Sequence, residues 1–366
     1  MIKHIAFPLS SAFLIASSAV SAQTADDIAR MQSTPSVYAA KKISSQINVD
    51  GKADEEAWQQ APWSDDFVDI EGASKKKPAL NSKVKMLWDD QHLYIYAQLE
   101  EPHVWGDIRK RDAIIYHNND FEVFLKPFDN QPLYYEIEVN ALNTVMDLMM
   151  PKAYRLGGDA VMHWDVKGLQ SAVHVAGSIN NANDTDMFWA VEMAIPFHSL
   201  TTFARKMPPK VGSYWRINFS RVQWQHEVQD NVYQRRKDGG KFLDEENWVW
   251  SPIGVINMHH PERWGFIKFV ESTTPNPAVP PDFRLEQAAW NIFYLQQVYH
   301  RKNKQFATTI AGLPGYESLL LPAMNTWSHT FLLNEAKSFY KLTLTDPMTE
   351  ITVSLDSEGN YHTVHE

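Results

Sequence analysis

Short stretches in which apolar and polar residues alternate with period two recur from Ile43 to about Phe269, and this pattern limits the fold more than any other feature. The stretches are rich in Val, Ile, Tyr, Phe and Trp, as strands are. The predicted strands are Lys83–Trp88, Leu93–Leu99, Asp120–Leu125, Leu133–Leu142, Ala172–Ile179, Phe188–Ile195, Trp215–Val222 and Phe266–Val270. One short helix is predicted at Asp54–Ala61. Many short strands with little intervening helix predict a mainly β fold, an antiparallel β-sandwich over residues 41–270.

A proline-rich segment, residues 271–281, follows the predicted sandwich. Its four prolines exclude a regular element and are typical of a linker. From Leu285 to Tyr299 the apolar residues then follow helical spacing. Short strands are predicted after that helix, at Thr330–Leu333, Tyr340–Thr345, Ile351–Leu355 and Tyr361–Val364. Residues 282–366 are therefore predicted to form a small α+β unit.

The first 22 residues have the features of a cleavable signal peptide. Lys3 supplies a positive charge, the run from Ile5 to Ala19 carries none, and small residues precede a cleavage site after Ala22. We therefore predict a signal peptide at 1–22, a leader over 23–40, and a periplasmic or secreted location. No later run reaches about 18 apolar residues, so no membrane anchor is predicted.

Composition excludes several classes of function. The 366 residues contain no Cys, which excludes thiol catalysis, disulfides, iron–sulfur clusters and thiolate zinc sites. The formal net charge of -10 argues against nucleic acid as a partner, because nucleic-acid binding needs a basic surface.

Strand alternation also sorts the side chains onto two faces. Phe121, Val123 and Leu125 point one way, while Asp120 and Glu122 point the other way. By the same rule, polar faces receive Tyr116, Glu136, Glu138, Asn140, Glu192, Arg216, Asn218 and Trp224, whereas Trp189 and Trp215 are predicted core residues. An ordinary solvated face would be richer in Lys, Thr and Ser. Carboxylates, amides and aromatic rings together suit the hydroxyls and C–H patches of a sugar.

Six sequence segments occur in an order that resembles carbohydrate-binding module family nine and its relatives in the DOMON-like β-sandwich group. They are INVDGKADEEAW (Ile47–Trp58), LWDDQHLYIYAQLEEP (Leu87–Pro102), NNDFEVFLKP (Asn118–Pro127), YYEIEVN (Tyr134–Asn140), WAVEMAIPF (Trp189–Phe197) and WRINFSRVQW (Trp215–Trp224). The segment Val255–Phe269 closes the domain as in many such chains. The resemblance covers about residues 41–270 and leaves the C-terminal unit outside it.

The resemblance implies a β-sandwich that holds a sugar, often at a chain end, between two aromatic side chains. By position, Tyr116 and Trp224 are the candidate aromatics, and Tyr116 departs from the family, where Trp is the better-known residue. Glu122, Asn218 and Arg221 are the implied polar contacts, although parity places Arg221 on the face opposite to Arg216. The full set of candidate carbohydrate-binding residues is Tyr116, Asp120, Glu122, Glu136, Glu138, Arg216, Asn218, Arg221 and Trp224.

Catalysis is one alternative that the carboxylates raise. A glycosidase needs two carboxylates with divided roles, and this set could supply a pair. No spacing here separates an acid from a base, and the resembled modules are noncatalytic. The sequence therefore predicts an exported, noncatalytic carbohydrate-binding protein with a role in carbohydrate catabolism, and hydrolysis of O-glycosyl bonds is the enzymatic alternative.

Other ligands and partners are also open. Some DOMON-like relatives bind haem b through Met or His, which makes Met258, His226, His259 and His260 the residues of a haem alternative. Some family members contain structural calcium, for which Asp50 and the Asp89-Asp90 pair are candidate positions, with local turn bonds as the competing interpretation. A structural or assembly role, with residues 282–366 docking a protein partner, is the third alternative.

Overall fold

A twelve-stranded sheet dominates the computed structural model, which describes residues 24–128, 130–200, 207–272 and 276–365. The predicted signal peptide lies outside the described residues. The strands in the sheet are β1 (Val37–Lys42), β2 (Val68–Asp69), β3 (Ser82–Trp88), β4 (His92–Glu100), β5 (Asp120–Lys126), β6 (Tyr134–Asn140), β7 (Val145–Met150), β8 (Gln170–Ala176), β9 (Phe188–Pro196), β10 (Tyr214–Gln223), and, after two small hairpins, β15 (Glu246–Val249) and β16 (Gly265–Val270). The hairpins between β10 and β15 comprise β11 (His226–Gln229), β12 (Val232–Arg235), β13 (Lys237–Asp238) and β14 (Lys241–Phe242). Two short helices precede β3, namely α1 (Ala25–Arg30) and α2 (Glu56–Gln60).

The strand order explains how one sheet encloses a core. It runs β7-β6-β5-β10-β16-β1-β3-β4-β9-β8, with β15 paired to both β10 and β2. The sheet curls so that apolar side chains from its two halves meet, which confirms the mainly β, sandwich-like fold. Trp189 and Trp215, 1% and 6% exposed, belong to this core as predicted. The eight strands predicted between residues 41 and 270 are all present, with ends within three residues of the predicted ones.

Residues 24–40 differ from the predicted leader, because they contain α1 and most of β1. The Thr24 side chain and Asp27 form a capping box that starts α1. β1 pairs in parallel with both β16 and β3, so it lies in the middle of the sheet. A central parallel strand is buried on both faces and lacks the alternation that reveals an edge or half-buried strand. The segment VYAAKK therefore lacks the period-two pattern that predicts the other strands.

Glu192 ties the first segment of the domain to β9. One carboxylate oxygen accepts hydrogen bonds from the Asp50 and Gly51 amides at 2.9 Å each, and the other accepts from the Trp58 indole at 2.8 Å. Burial raises the pKa of Glu192 to about 7 despite these donors. This carboxylate therefore serves the fold, by holding the loop before α2.

The C-terminal unit consists of a long helix against a four-stranded antiparallel sheet. Its elements are α3 (Phe283–Asn303), α4 (Leu321–Thr326), β17 (Ser328–Leu333), β18 (Tyr340–Thr345), β19 (Ile351–Asp356) and β20 (Tyr361–His365). The predicted helix and all four predicted strands are present. The apolar side of α3 shares one hydrophobic core with β18 and β19 and with residues of β5, β6 and β7. No helix in the described part of the chain has the length and apolar character to cross a membrane.

Candidate functional site

Four carboxylates lie on one face of two neighbouring strands, as strand parity predicted. β5 contributes Asp120 and Glu122, and β6 contributes Glu136 and Glu138. Glu122 is directly opposite Glu138 on β6, and on its other side it is opposite Ser220 of β10. Side chains opposite each other on one face of an antiparallel pair have Cβ atoms about 5 Å apart. We call Asp120, Glu122, Glu136, Glu138 and Ser220 the acidic face.

The acidic face is covered rather than open to water. Asp120 is fully buried, Glu138 is 2% exposed, and Glu122 and Glu136 are each 6% exposed. Beside Glu136 the cover comes from the segment between β15 and β16, where Trp264 packs on Phe124 and Tyr134. Sequence parity could predict the shared face but not its cover, because the covering segment arrives from elsewhere in the chain.

Burial and mutual repulsion change the protonation of this face. Burial raises the pKa of Glu122 to about 7, and the charge of Glu245 adds to the rise. Burial and then the charge of Glu122 raise the pKa of Glu136 to about 8. The pKa values of Asp120 and Glu138 are raised well above their usual range by burial first and neighbouring carboxylates second. Near neutral pH the face can therefore both donate and accept hydrogen bonds.

Two partly exposed tyrosines stand beside the carboxylates. Tyr116 lies in a 3-10 turn before β5, and Tyr154 lies in a 3-10 turn after β7. Burial and then the charge of Glu138 raise the pKa of Tyr116. Burial, followed by the charges of Glu136 and Glu138, raises the pKa of Tyr154 to about 12. Both phenol groups therefore lie near enough to the acidic face to be affected by its charge. Alternation does not predict Tyr154 as a site residue, because it lies in a turn and not in a strand.

Trp224 lies beside Tyr116 but is covered. Its indole N–H donates to the Tyr116 carbonyl at 2.6 Å, and its backbone amide donates to Asn119 at 2.8 Å. The Arg235 guanidinium lies 4.6 Å from the centre of the Trp224 ring and 4.0 Å from that of Phe242. Trp224 is only 5% exposed. Its indole holds the turn that contains Tyr116, and its ring packs against Arg235 of β12. Arg235 and Glu245, whose charges act on Tyr116, also lie near this site, and strand alternation did not predict them.

Arg216 and Asn218 lie on the predicted face but are engaged in holding the fold. Arg216 donates to the Trp264 carbonyl at 3.0 Å and pairs with Glu286 of α3. The Asn218 side chain donates to the Ser251 carbonyl at 2.8 Å and accepts from the Ser251 amide at 3.0 Å. Arg216 therefore attaches both the β15–β16 segment and α3 to β10, and Asn218 attaches the β15–β16 segment to it.

Arg221 lies on the opposite face, as its parity indicated. It is fully buried, donates to the Ser82 hydroxyl at 3.0 Å and pairs with Glu101 at 3.1 Å. The structure therefore separates Arg221 from Glu122, with which the resemblance had grouped it.

The aspartates considered for calcium make local turn bonds. Asp50 accepts from the Lys52 amide at 3.0 Å. Asp89 accepts from the amides of Gln91 and His92, at 2.7 Å and 2.6 Å. Asp90 forms an ion pair with Lys42 at 2.7 Å. Neither position gathers the six to eight oxygens that calcium prefers, so the residues there do not fit the ion.

The residues of the haem alternative are spread over two places. His226 lies in the β11–β12 hairpin, where its ring centre is 5.0 Å from that of His103. His259 lies over β6, where its Nδ1 is 2.7 Å from the Tyr134 hydroxyl. Met258 is packed in the core shared with α3, and its carbonyl accepts from the Trp264 indole at 2.7 Å. Met258 is packed in the core between sheet and helix and His226 lies apart from it in the hairpin, so these side chains do not form the walls of one haem pocket.

The fold and the face define a class, that of β-sandwich domains with a recessed polar face flanked by aromatic rings. Residues 49–218 match the family described as "Carbohydrate family 9 binding domain-like". This part of the chain is therefore similar to that family, and it contains β2 to β9 and the first half of β10.

Solved structures give further similarities. A Bacteroides uniformis protein proposed to bind carbohydrate is 15% identical, with a TM-score of 0.47 over 64% of this chain and 100% of its own. A family 9 module from Caldicellulosiruptor kristjanssonii, in complex with cellotriose, is 17% identical, with a TM-score of 0.37 over 66% of this chain and 98% of its own. The glucose complex from the same organism gives 18% identity and a TM-score of 0.37, over 67% of this chain and 100% of its own. No curated protein matches the chain.

Proposed function

We propose that this protein binds carbohydrate noncovalently, with the sugar lying between Tyr116 and Tyr154 above the acidic face. The family match over residues 49–218 is the observation that carries the proposal, because that range contains both tyrosines and all four carboxylates. Carbohydrate is thus the proposed partner, and the protein would hold it without hydrolysing it.

The chemistry of the face supports a polyhydroxylated ligand. Glu122 and Glu136 each retain a small exposed area. With pKa values of about 7 and 8 they exist as a mixture of acid and carboxylate near neutral pH, so they can donate to one hydroxyl and accept from another. Tyrosine rings offer apolar faces to the C–H patches of a pyranose.

Calorimetry with a panel of mono- and oligosaccharides, including glucose and cellotriose, tests the proposal. We expect saturable binding by the full chain. Replacing Tyr154 by Ala should weaken it by roughly 1–3 kcal/mol, the value of burying one large apolar side chain. Tyr116→Ala should act similarly. Tyr316→Ala is the matched control, since Tyr316 lies in the C-terminal unit, and it should leave affinity unchanged.

Trp224→Ala adds information about positioning. Because the Trp224 indole holds the Tyr116 carbonyl, its loss should weaken binding through displacement of Tyr116. Failure of folded wild-type protein to bind any sugar in the panel would overturn the proposal. Equal affinity in Tyr116→Ala, Tyr154→Ala and the control would move the site away from this face.

We also infer that the protein is exported and acts in carbohydrate catabolism. The signal-peptide pattern of residues 1–22 supports export. Amino-terminal sequencing of the protein from fractionated cells should find a mature chain that begins at Gln23, outside the cytoplasm. An uncleaved chain in the cytoplasm would contradict this inference.

A further inference from the structure

A cleft of about 400 Å³ lies between the sandwich and the C-terminal unit, and we call it the interface cleft. The sandwich contributes Lys152, Arg155 and Leu156 from the segment after β7. The C-terminal unit contributes residues of α3 and of the turn between β19 and β20, among them Arg301 and Glu358. Arg155 and Leu156 also line a smaller inner cavity of about 30 Å³, so the two spaces adjoin at these residues. Volumes of a few hundred Å³ are typical of sites for small molecules.

The walls of both spaces carry more positive than negative charge, although the whole chain has a formal net charge of -10. The ion pairs Arg155–Glu262 and Arg216–Glu286 each balance their own charge. Among the described residues, the other charged side chains on the walls are three basic ones and one acidic one, namely Lys126, Lys152, Arg301 and Glu358. A positive cleft in a negative protein favours an anionic ligand over other solutes.

Two buried N–H donors on the inner cavity lack an acceptor among the described residues. The side chain of Arg155 is 6% exposed and Trp290 is 7% exposed, and both line the cavity. Nη2 of Arg155 donates to Glu262 at 2.6 Å, whereas Nε of Arg155 and the indole Nε1 of Trp290 donate to no described group. Buried donors without an acceptor are rare in folded proteins. These two indicate that an acceptor from outside the chain enters the inner cavity.

The surrounding side chains hold the Arg155 guanidinium in one position. Its central carbon lies 5.5 Å from the centre of the Trp290 ring and 5.6 Å from that of the Tyr294 ring. The ion pair with Glu262 fixes the same group. A guanidinium that is already ordered loses little side-chain entropy on binding, and its planar set of N–H donors matches a carboxylate or a phosphate.

We propose that the interface cleft binds a small organic oxyanion, either a carboxylate or a phosphate ester, with its charged group at Arg155. Lys152 of the sandwich and Arg301 of α3 line the same cleft, so both units add positive charge to it. Phe293 and Tyr294 give the cleft an apolar wall for the rest of the ligand. The C-terminal unit thereby supplies half of a ligand site.

The interface cleft and the proposed sugar site differ in charge. The four carboxylates of the acidic face would repel an anion, so the two sites suit different ligands. They share one turn, since Tyr154 lies near the acidic face and the next residue, Arg155, lines the interface cleft. Anion binding therefore goes beyond the proposed sugar binding and does not depend on whether the acidic face binds a sugar.

Calorimetry of the full chain with inorganic phosphate, glycerol 3-phosphate and citrate at low ionic strength tests the site, with glycerol as the neutral control. We expect one saturable site for glycerol 3-phosphate or citrate, at least as tight as that for inorganic phosphate, and none for glycerol. The organic anion that binds more tightly identifies the charged group as phosphate or carboxylate. Added salt should weaken the binding, because it screens the attraction between charges.

Lys152→Gln and Arg301→Gln should each weaken anion binding roughly tenfold, the effect of losing a hydrogen bond to a charged group. Lys302→Gln is the matched control, because Lys302 is the exposed neighbour of Arg301 on α3, does not line the cleft, and changes the net charge equally. It should leave the affinity unchanged. Arg155→Lys keeps the positive charge but loses the planar donor set, so it should weaken binding too, with circular dichroism to verify the fold.

The variants at Lys152 and Arg301 decide the matter even if Arg155→Lys does not fold. Absence of binding of all three anions by folded wild-type protein would show that water alone satisfies the Arg155 and Trp290 donors, and it would overturn the proposal. Undiminished binding in the double variant of Lys152→Gln and Arg301→Gln would overturn it as well. So would an equal loss in Lys302→Gln, or binding of inorganic phosphate without either organic anion.

Discussion

His260 shows how a single side chain between the sheet and α3 can set the pH dependence of stability. Its ring is fully buried, and its Nδ1 lies 3.2 Å from the Asn257 carbonyl. Burial, together with the nearby charge of Arg155, lowers its pKa to about 3. The charge of Glu262 opposes this shift, and His259, itself shifted to about 4 by burial and Arg155, adds to it.

The sign of the effect follows from linkage. Below about pH 6.5 the unfolded chain protonates His260 while the folded chain does not, so the free energy of unfolding decreases as pH falls. One such histidine contributes a slope of about 1.4 kcal/mol per pH unit. We predict that His260→Gln removes about this slope between pH 6 and 5, as measured by urea unfolding at each pH.

The control is His362→Gln, since His362 is exposed and should leave the slope unchanged. Comparing variants with wild type at each pH cancels the opposite contribution of the acidic face. A His260→Gln protein that follows the wild-type pH profile would contradict the prediction. If His260→Gln folds poorly, His259→Gln can replace it, because burial also lowers the pKa of His259 and its loss should reduce the same pH slope of the free energy of unfolding.

For single residues, the sequence predicts on which face of a strand a side chain lies, but it does not predict which groups pack against that side chain. Alternation correctly placed Asp120, Glu122, Glu136 and Glu138 on one face, because pleating leaves no other arrangement. The same rule correctly placed Arg221 on the face opposite to Glu122, whereas the resemblance had grouped the two residues as contacts of one ligand. The cover over Trp224 could not be predicted, because Arg235 reaches it from a hairpin whose position depends on tertiary packing.

At the scale of elements, α3 is attached to the sheet by a buried ion pair. Arg216 of β10 contacts Glu286 of α3, and the guanidinium also lies 4.2 Å from the centre of the Phe266 ring. Each side chain is paired only because helix and sheet are in contact. The pair therefore reports directly on their docking.

We predict that Glu286→Ala lowers the free energy of unfolding by about 3–5 kcal/mol, because it leaves the Arg216 guanidinium buried without its partner. The double variant Arg216→Met with Glu286→Leu should recover much of that loss, since apolar groups of similar size need no counter-charge. Chemical denaturation of the three proteins measures both effects. Glu335→Ala, at an exposed position of the same unit, should change stability by less than about 0.5 kcal/mol.

A loss in Glu286→Ala as small as that of Glu335→Ala would mean that the pair adds nothing to docking.

The elements themselves show where sequence patterns are informative. Half-buried strands such as β5 and β9 alternate clearly, so they were predicted. The middle of β1 is buried, and the strands of the β11–β14 hairpins are short and largely exposed, so neither kind shows the period-two pattern.

For the whole molecule, the proline-rich segment suggested two units, whereas the packing joins them. One hydrophobic core includes Phe124 and Tyr134 of the sheet, Trp264 of the covering segment, and Leu285 and Phe293 of α3. Strand alternation assigns one face of each strand to the core and the other face to solvent. It therefore does not predict that apolar residues on the second face, such as Phe124 and Tyr134, are buried. Their partner was the helix beyond the linker.

Truncation after Pro281 tests whether the sandwich depends on the C-terminal unit. Removing α3 exposes the face that it covers, leaves Arg216 without Glu286, and deprives Glu262 of the Tyr294 hydroxyl. We predict that the truncated chain has a lower Tm than the full chain and self-associates, as measured by thermal unfolding and size-exclusion chromatography, because exposed contiguous apolar surface favours association. A monomeric truncated protein with the Tm of the full chain would show that the shared core adds no stability to the sandwich.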